Sequence, residues 1–130
     1  MDLAKIVLEL VEWKLAQDLD KMECILAPGA LVREFKQLQL NAGRKAGHTT
    51  AALELARKYD RRAVVCVAGR GMKSFYRRRR LRVYALCSQD DLGELRRAVR
   101  ADSILIVDDA SYADLHVLDE LQPRLRVFLG

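Results

Sequence analysis

The residues with the clearest chemical potential form a glycine-containing loop followed by two hydroxyl side chains, AGRKAGHTT at positions 42–50. In the phosphate-binding pattern G-x-x-x-x-G-K-[ST], backbone amides cradle the phosphates, the lysine reaches the terminal phosphates and the hydroxyl ligates Mg²⁺. Alignment places Ala42 on the first glycine, Gly47 on the second, His48 on the lysine and Thr49 on the magnesium position. The loop therefore predicts a nucleotide-phosphate site that lacks its usual lysine.

Loss of that lysine removes a fixed positive charge, because the imidazole of His48 is shorter and mostly neutral at pH 7. Arg44 and Lys45 lie in the same loop and are candidates to restore a cation from its other side, while Gly43 gives the turn the flexibility that Ala42 lacks. A glycine-rich turn between strand and helix also occurs in many α/β domains without a ligand. The predicted nucleotide-binding residues are Ala42, Gly43, Arg44, Lys45, Ala46, Gly47, His48, Thr49 and Thr50.

A second motif is a buried strand that ends in two carboxylates, SILIVDDAS at positions 103–111. The carboxyl edge of a parallel sheet is where α/β proteins bind ligands. We interpret Asp108 as the acid that holds Mg²⁺ through water together with Thr49, and Asp109 as a catalytic group that orients or deprotonates an attacking water. The alternative is that both aspartates merely cap the next helix.

The positive charge is concentrated in one part of the chain. Residues 61–89 hold nine of the 23 Lys and Arg and no acid, which leaves 14 basic and 18 acidic residues elsewhere. Arginines interleaved with aromatic rings are typical of a nucleic-acid contact, in which cations meet phosphates and rings stack on bases. The alternative is a solvated face or a surface for an acidic protein. The predicted nucleic-acid-binding residues are Arg70, Lys73, Phe75, Tyr76, Arg77, Arg78, Arg79, Arg80 and Arg82.

The elements that position these motifs follow from the hydrophobic pattern. Apolar residues recur at helical spacing from Leu3, and a further helix is expected within 18–26 before Pro28 and Gly29 break it. Ser88 and Asp91 have the spacing of a helix-capping pair. Strands are predicted at 36–40, 63–68, 82–87, 104–107 and 125–129, and helices at 48–59, 88–101 and 112–121. This alternation predicts an α/β fold with an open, mostly parallel five-stranded sheet flanked by helices. We expect residues 1–35 to form a helical segment that packs on the core formed by residues 36–130.

Length and composition limit the class of protein. A chain of 130 residues with 51% hydrophobic and 32% charged residues is typical of one globular domain. It contains no apolar run of about 18 residues and no N-terminal pattern of a secretory leader, so we expect a cytoplasmic protein without a membrane partner. Its three cysteines show no spacing typical of disulfides or metal sites.

The order of these segments resembles the first RecA-like domain of P-loop ATPases of the helicase and large-terminase type. AGRKAGHTT resembles the first motif of that family, and IVDDAS resembles its DEAD/DEAH-like second motif. AVVCVAGRGMKSF is similar to the strand and loop that contact nucleic acid, and RLRVFLG to the third-motif strand. The resemblance covers residues 36–130 and implies a P-loop NTPase-like core that binds ATP and Mg²⁺ and couples hydrolysis to movement on nucleic acid.

Two substitutions separate this chain from that family, namely His48 for its lysine and Asp109 for its glutamate. We therefore expect a degenerate P-loop NTPase-like protein that binds nucleic acid, and ATP weakly, with little or no hydrolysis. One alternative is a protein-binding adaptor or inhibitor that uses the fold as a scaffold, and another is an active nucleic-acid-dependent ATPase. A protein partner or a homo-oligomer remains open.

Overall fold

Five short apolar segments pair into one sheet in which every strand pairing is parallel. The computed structural model describes residues 2–43 and 46–130, apart from the side chains of Arg33 and Glu34. The strands are β1 (Gln37–Leu40), β2 (Ala63–Val67), β3 (Val83–Ala85), β4 (Ile104–Asp108) and β5 (Leu125–Leu129). Their order across the sheet is β1-β5-β4-β2-β3. The predicted α/β fold with an open parallel sheet is thus confirmed.

Six α-helices accompany the sheet in the described part of the chain. They are α1 (Leu3–Leu15), α2 (Leu19–Glu23), α3 (Pro28–Phe35), α4 (His48–Tyr59), α5 (Gly71–Arg77) and α6 (Gln89–Ala98). None of them, within the described residues, is long and apolar enough to cross a bilayer.

The helix expected within 18–26 is confirmed as α2, which ends before Pro28. Pro28 then occupies the first position of α3, a helix that was not predicted, where a missing N–H costs nothing. The helix expected at 112–121 is replaced by two 3₁₀ turns, Ala110–Tyr112 and Leu115–Leu118. Extended backbone at Ala113 and Asp114 separates these turns, and the Asp114 carboxylate caps the second one by accepting from the amide of His116.

The sheet has a separate apolar core on each face, because successive side chains of a strand point to opposite sides. Ile104 and Ile106 pack in the cluster that contains α1 and α4, whereas Leu105 and Val107 pack in the cluster that contains α6. Helix α1 contributes Leu3, Ala4, Val7 and Val11 to the first cluster. The same alternation turns Asp108, at the end of β4, toward the side of α4 and α5.

The strand order places a topological switch point between β2 and β4. From the neighbouring strands β2 and β4 the chain passes to opposite sides of the sheet. It goes from β2 to β3 at one edge, and from β4 to β5 on the other side. Ligands of open α/β sheets bind at such switch points. Asp108 therefore ends its strand at the position where this architecture places a ligand.

Candidate phosphate-binding site

The loop after β1 leads into α4 through two glycines with left-handed backbone. Gly43 has φ of 87° and Gly47 has φ of 94°, conformations that side chains adopt only with strain. Gly47 immediately precedes the first residue of α4, and no described side chain caps the first amides of that helix. A helix N-terminus with free amides is a suitable anion site, so this geometry fits the predicted phosphate loop.

The two predicted magnesium residues lie in direct contact although they are 59 positions apart in the chain. The hydroxyl Oγ1 of Thr49 donates to Oδ2 of Asp108 over 2.8 Å. The Asp108 carboxylate is completely buried, and its Oδ1 accepts from the amide of Asp109 at 2.9 Å. Hydroxyl and carboxylate oxygens are ligands that Mg²⁺ accepts, and it takes its remaining ligands from water and phosphates. The two residues predicted to hold a nucleotide-bound Mg²⁺ are therefore adjacent, with Thr49 at the wall of a surface cavity and Asp108 buried behind it.

Within the described residues, no group of three or more His, Cys, Asp or Glu side chains could hold a metal ion alone. Any cation here would accordingly depend on water and on the ligand for most of its coordination. This is the usual pattern for magnesium bound beside phosphates.

Tyr76 belongs to this site, which corrects its predicted role in stacking on nucleic acid. Its ring is fully buried, and its hydroxyl donates to Oδ2 of Asp108 over 2.6 Å. Burial, together with the charge and hydrogen bond of Asp108, raises the pKa of the Tyr76 hydroxyl. A ring without exposed surface cannot stack on a base. Sequence reasoning missed this contact because Tyr76 stands among arginines. Only its place on the helix α5 turns its side chain inward.

His48, in the lysine position, is turned back onto the loop. Its Nε2 lies 3.1 Å from the amide of Ala42 and accepts that hydrogen bond, so this nitrogen carries no proton. The bond ties the start of α4 to the start of the loop. His48 therefore fixes the loop in place rather than presenting a positive charge to a phosphate.

Asp109 has left-handed backbone, with φ of 55° and ψ of 41°, and its side chain is partly buried. Burial and the adjacent charge of Asp108 raise the pKa of its carboxyl. Gly130, which follows β5, lies beside Asp109, since a Cβ on Gly130 would be 3.5 Å from the Asp109 Cα, an ordinary van der Waals contact. Asp109 thus lines the same cavity as loop residues Gly47 and His48.

The loop residues and Asp109 line an open cleft of about 520 Å³. Its walls are Ala46, Gly47, His48, Thr49, Thr50, Asp109 and Tyr112. Ala42 and Gly43 are exposed beside it, and the Gly43 amide donates to Oδ1 of Asn41 at 3.1 Å. Arg44 and Lys45, the candidate replacement cations, lie outside the described residues. Asn41 and Tyr112 were not predicted.

The arginine segment, which we define as residues 70–82, forms α5 and the turn before β3. In the described structure no acidic side chain pairs with Arg70, Arg77, Arg78 or Arg80, and all four are exposed. The guanidinium of Arg79 lies 3.6 Å over the ring of half-buried Phe75, and Arg82 pairs with Glu94 at 2.8 Å. Most of the predicted cations are therefore available at the surface.

Lys73 is the exception among these cations. Its Nζ lies 2.7 Å from Oδ2 of Asp91, with only 18% and 14% of the two side chains exposed. The same oxygen accepts from the amide of Ala85. Although partial burial raises the pKa of Asp91, the bonds from Lys73 and Ala85 outweigh it and hold that pKa below its usual value. Lys73 therefore secures α5 to α6, a structural task unrelated to its predicted contact with nucleic acid.

The phosphate loop and the arginine segment lie toward opposite edges of the sheet. The loop follows β1 at one edge, and the arginine segment precedes β3 at the other. The helices that carry them nevertheless meet at Asp108, whose Oδ2 accepts from Thr49 of α4 and from Tyr76 of α5.

Compared with protein-family models, curated proteins and solved structures, the chain has no significant match.

Proposed function

We propose that this chain is a degenerate P-loop NTPase-like domain that binds nucleotide weakly, with little or no hydrolysis, and binds nucleic acid through its arginine segment. ATP with Mg²⁺ is the expected ligand of the cleft. The contact between Thr49 and Asp108 carries the proposal, because it joins a hydroxyl at a helix N-terminus to a buried carboxylate at the carboxyl edge of the sheet.

Two features support weak binding with little turnover. The His48 imidazole is occupied with the Ala42 amide, so the described residues offer no lysine-like charge to a terminal phosphate. Asp109 is one methylene shorter than the glutamate that usually positions water. Preorganised charges of this kind supply several kcal/mol of transition-state stabilisation, about 3–4 kcal/mol for a single donor, so their loss predicts slow chemistry.

A nucleic-acid partner is supported by the four exposed arginines without acidic partners, Arg70, Arg77, Arg78 and Arg80. Guanidinium groups bind phosphates in a bidentate manner, and each neutralised phosphate releases counterions. With Tyr76 buried, Phe75 is the remaining aromatic ring of this segment, and it lies half-covered by Arg79. The proposed contact is therefore mainly with the phosphate backbone.

Calorimetric titration with Mg·ATP at low salt tests the nucleotide site. Thr49→Val keeps the side-chain volume but removes the hydroxyl, and we expect it to abolish the contribution of Mg²⁺ to binding. Ser74→Ala, which removes an exposed hydroxyl on α5, is the matched control and should bind like the wild type. Absence of wild-type binding into the millimolar range would refute the nucleotide site.

Fluorescence anisotropy with a labelled oligonucleotide tests the arginine segment. Replacing Arg77, Arg78 and Arg80 with glutamine should weaken binding and flatten its dependence on salt, by about one unit of log–log slope for each phosphate that is no longer neutralised. The control variant has glutamine in place of Arg57, Arg61 and Arg100, which are also exposed, and so changes the net charge by the same amount. If both triple variants lose the same affinity, the binding is a nonspecific effect of charge.

A second candidate function, the adaptor or inhibitor, is favoured by Trp13. This ring lies on α1 and is 55% exposed, on a helix whose opposite side packs in the core. Exposed tryptophans are common in protein interfaces. If the folded wild-type protein binds no oligonucleotide, this function is favoured over the first.

A further inference from the structure

Tyr112 is a large aromatic ring exposed at the edge of the phosphate cleft. It is 75% exposed, and it lines the same cavity as His48, Thr49 and Thr50. The other exposed large apolar side chains of the described residues, Trp13 and Ile25, do not line this cleft. An aromatic face therefore stands beside the position proposed for phosphate groups.

The backbone that carries Tyr112 is held by hydrogen bonds to both neighbouring strand ends. The Tyr112 amide donates to the carbonyl of Asp109 at 3.0 Å, which closes the 3₁₀ turn. The amide of Ser111 donates to the carbonyl of Gly130 at 2.7 Å, and the Gly130 amide donates to Leu40 at 2.9 Å. The turn is thereby fixed relative to the ends of β1 and β5. The backbone from which the ring projects is therefore held in place, although the ring itself is exposed.

From this placement we infer that Tyr112 is a specificity-determining residue that stacks on the base of a nucleotide whose phosphates occupy the cleft. The inference rests on the proposed function. It assigns to the site a ligand with an aromatic base, in preference to free polyphosphate. Stacking recognises the face of a ring and every base has one, so discrimination between bases is expected to be small.

The ring has no competing task in the described structure. No hydrogen bond from its hydroxyl and no ring contact with another aromatic residue is present among the described residues, and its exposure excludes a role in the core. Removing it should therefore leave folding intact. Loss of base stacking on an aromatic side chain reduces affinity by about 5- to 150-fold.

The test compares the affinities of ATP and inorganic tripolyphosphate, both with Mg²⁺, for wild type, Tyr112→Ala and Tyr112→Phe. We expect Tyr112→Ala to lose about 5- to 150-fold in affinity for ATP and none for tripolyphosphate. Tyr112→Phe keeps the ring and should bind both ligands like the wild type. Thr49→Val should weaken both ligands, because it acts on the phosphate end.

The outcomes separate this inference from the proposed function. Equal affinity of wild type and Tyr112→Ala for ATP, with tripolyphosphate binding that depends on Thr49, overturns the stacking role and leaves the phosphate site standing. An equal loss for both ligands in Tyr112→Ala also overturns it, because the ring would then act on the loop. If wild type binds neither ligand, the proposed nucleotide site fails and the inference fails with it.

A spectroscopic signal provides an independent readout. The chain has one tryptophan, Trp13, so the double variant W13F/Y112W carries its only indole at the cleft. Stacking of a base on that indole should quench its fluorescence on addition of ATP but not of tripolyphosphate. Fluorescence that stays constant through saturation with ATP would contradict stacking.

Discussion

The hydroxyl of Tyr76 donates to the same oxygen of Asp108 that accepts from Thr49, at distances of 2.6 and 2.8 Å. One carboxylate thus joins α5, which carries the arginine segment, to the start of α4, which carries the phosphate loop. Asp108 is completely buried, and a buried charge is tolerable only when donors surround it. Three donors do so here, two hydroxyls and the amide of Asp109.

Removing the Tyr76 hydroxyl should destabilise the fold. In Tyr76→Phe the ring still fills its place, but Asp108 loses one of its donors in a buried environment. Hydrogen bonds to charged groups contribute about 1.5–3 kcal/mol, so we expect the free energy of unfolding to fall by that amount. Chemical denaturation measures it.

Tyr84→Phe is the control for this change, because Tyr84 is a tyrosine of β3 whose hydroxyl makes no hydrogen bond among the described residues. It should alter stability by less than about 0.5 kcal/mol. Equal stability of Tyr76→Phe and wild type would show that the hydroxyl does not support Asp108.

Local patterns in the sequence predicted the five strands and helices α1, α2, α4 and α6, but not α3 or α5. Among contacts between distant residues they predicted only that of Thr49 with Asp108. Helix α4 and strand β5 begin and end at the predicted residues, because apolar periodicity and Pro123 mark them clearly. Strand order did not follow from the sequence, since the alternation of strands and helices is compatible with several orders. The position of Tyr76 depends on that order.

The candidate site shows the same division. Motif spacing assigned Thr49 and Asp108 to one site, and they are in contact. The Ser88–Asp91 pair was predicted as a helix cap, and the Ser88 hydroxyl does accept from the Asp91 amide at 3.4 Å. The Asp91 carboxylate instead pairs with Lys73. Sequence spacing reveals partners within one helix turn, whereas partners on another helix depend on packing.

Neutralising Asp91 should cost stability in a pH-dependent manner. Asp91→Asn removes the partner of a largely buried Lys73, and we expect a loss of about 2–3 kcal/mol at pH 7, somewhat below the cost for fully buried pairs. The pKa of Asp91 is lowered in the folded state. Its contribution is therefore complete above the unfolded pKa of about 3.9 and is lost as pH falls through the folded pKa.

Thermal denaturation from pH 7 to pH 3 should accordingly show the stability of wild type and Asp91→Asn converging at the acidic end. Asp90→Asn changes an exposed neighbour in the same first turn of α6 and should cost at most about 1 kcal/mol. If the difference in stability between wild type and Asp91→Asn stays constant with pH, this result would contradict the ion pair between Asp91 and Lys73.

Neutralising Asp109 should increase stability at pH 7, whereas neutralising Asp91 should decrease it. The pKa of Asp109 is raised in the folded state, so wild type loses stability as pH rises from about 3.9 through that higher value. Asparagine carries no charge and tolerates left-handed backbone. We expect Asp109→Asn to gain about 0.2–1 kcal/mol at pH 7 and nothing at pH 3, as measured by urea denaturation.

Asp102→Asn, an exposed aspartate outside the cleft, is the control and should change stability little at either pH. If Asp109→Asn instead loses stability at pH 7, the negative charge of the Asp109 carboxylate must be stabilised by its surroundings rather than disfavoured by burial and by Asp108.

Arg124 connects α1 and α3 to the sheet. Its guanidinium donates to the carbonyls of Lys14 and Phe35, at 2.8 and 3.4 Å, just before β5. Arg124→Ala leaves these helix-end carbonyls without that donor, and we expect a loss of about 2–4 kcal/mol in urea denaturation. Arg82→Ala breaks only an exposed ion pair with Glu94 and should cost about 0–1 kcal/mol. Similar losses in both variants would exclude an anchoring role for Arg124.

Restoring lysine at position 48 tests why the proposed nucleotide site is weak. His48→Lys breaks the hydrogen bond with the exposed Ala42 amide, which water can replace, and provides a long cationic side chain at the start of α4. A charged hydrogen bond to phosphate is worth about 1.5–3 kcal/mol, so calorimetry should show roughly 10- to 150-fold tighter binding of Mg·ATP. His116→Lys adds the same charge on an exposed 3₁₀ turn and should leave affinity unchanged. If His48→Lys folds normally but binds ATP no better than wild type, the missing lysine is not what limits this site.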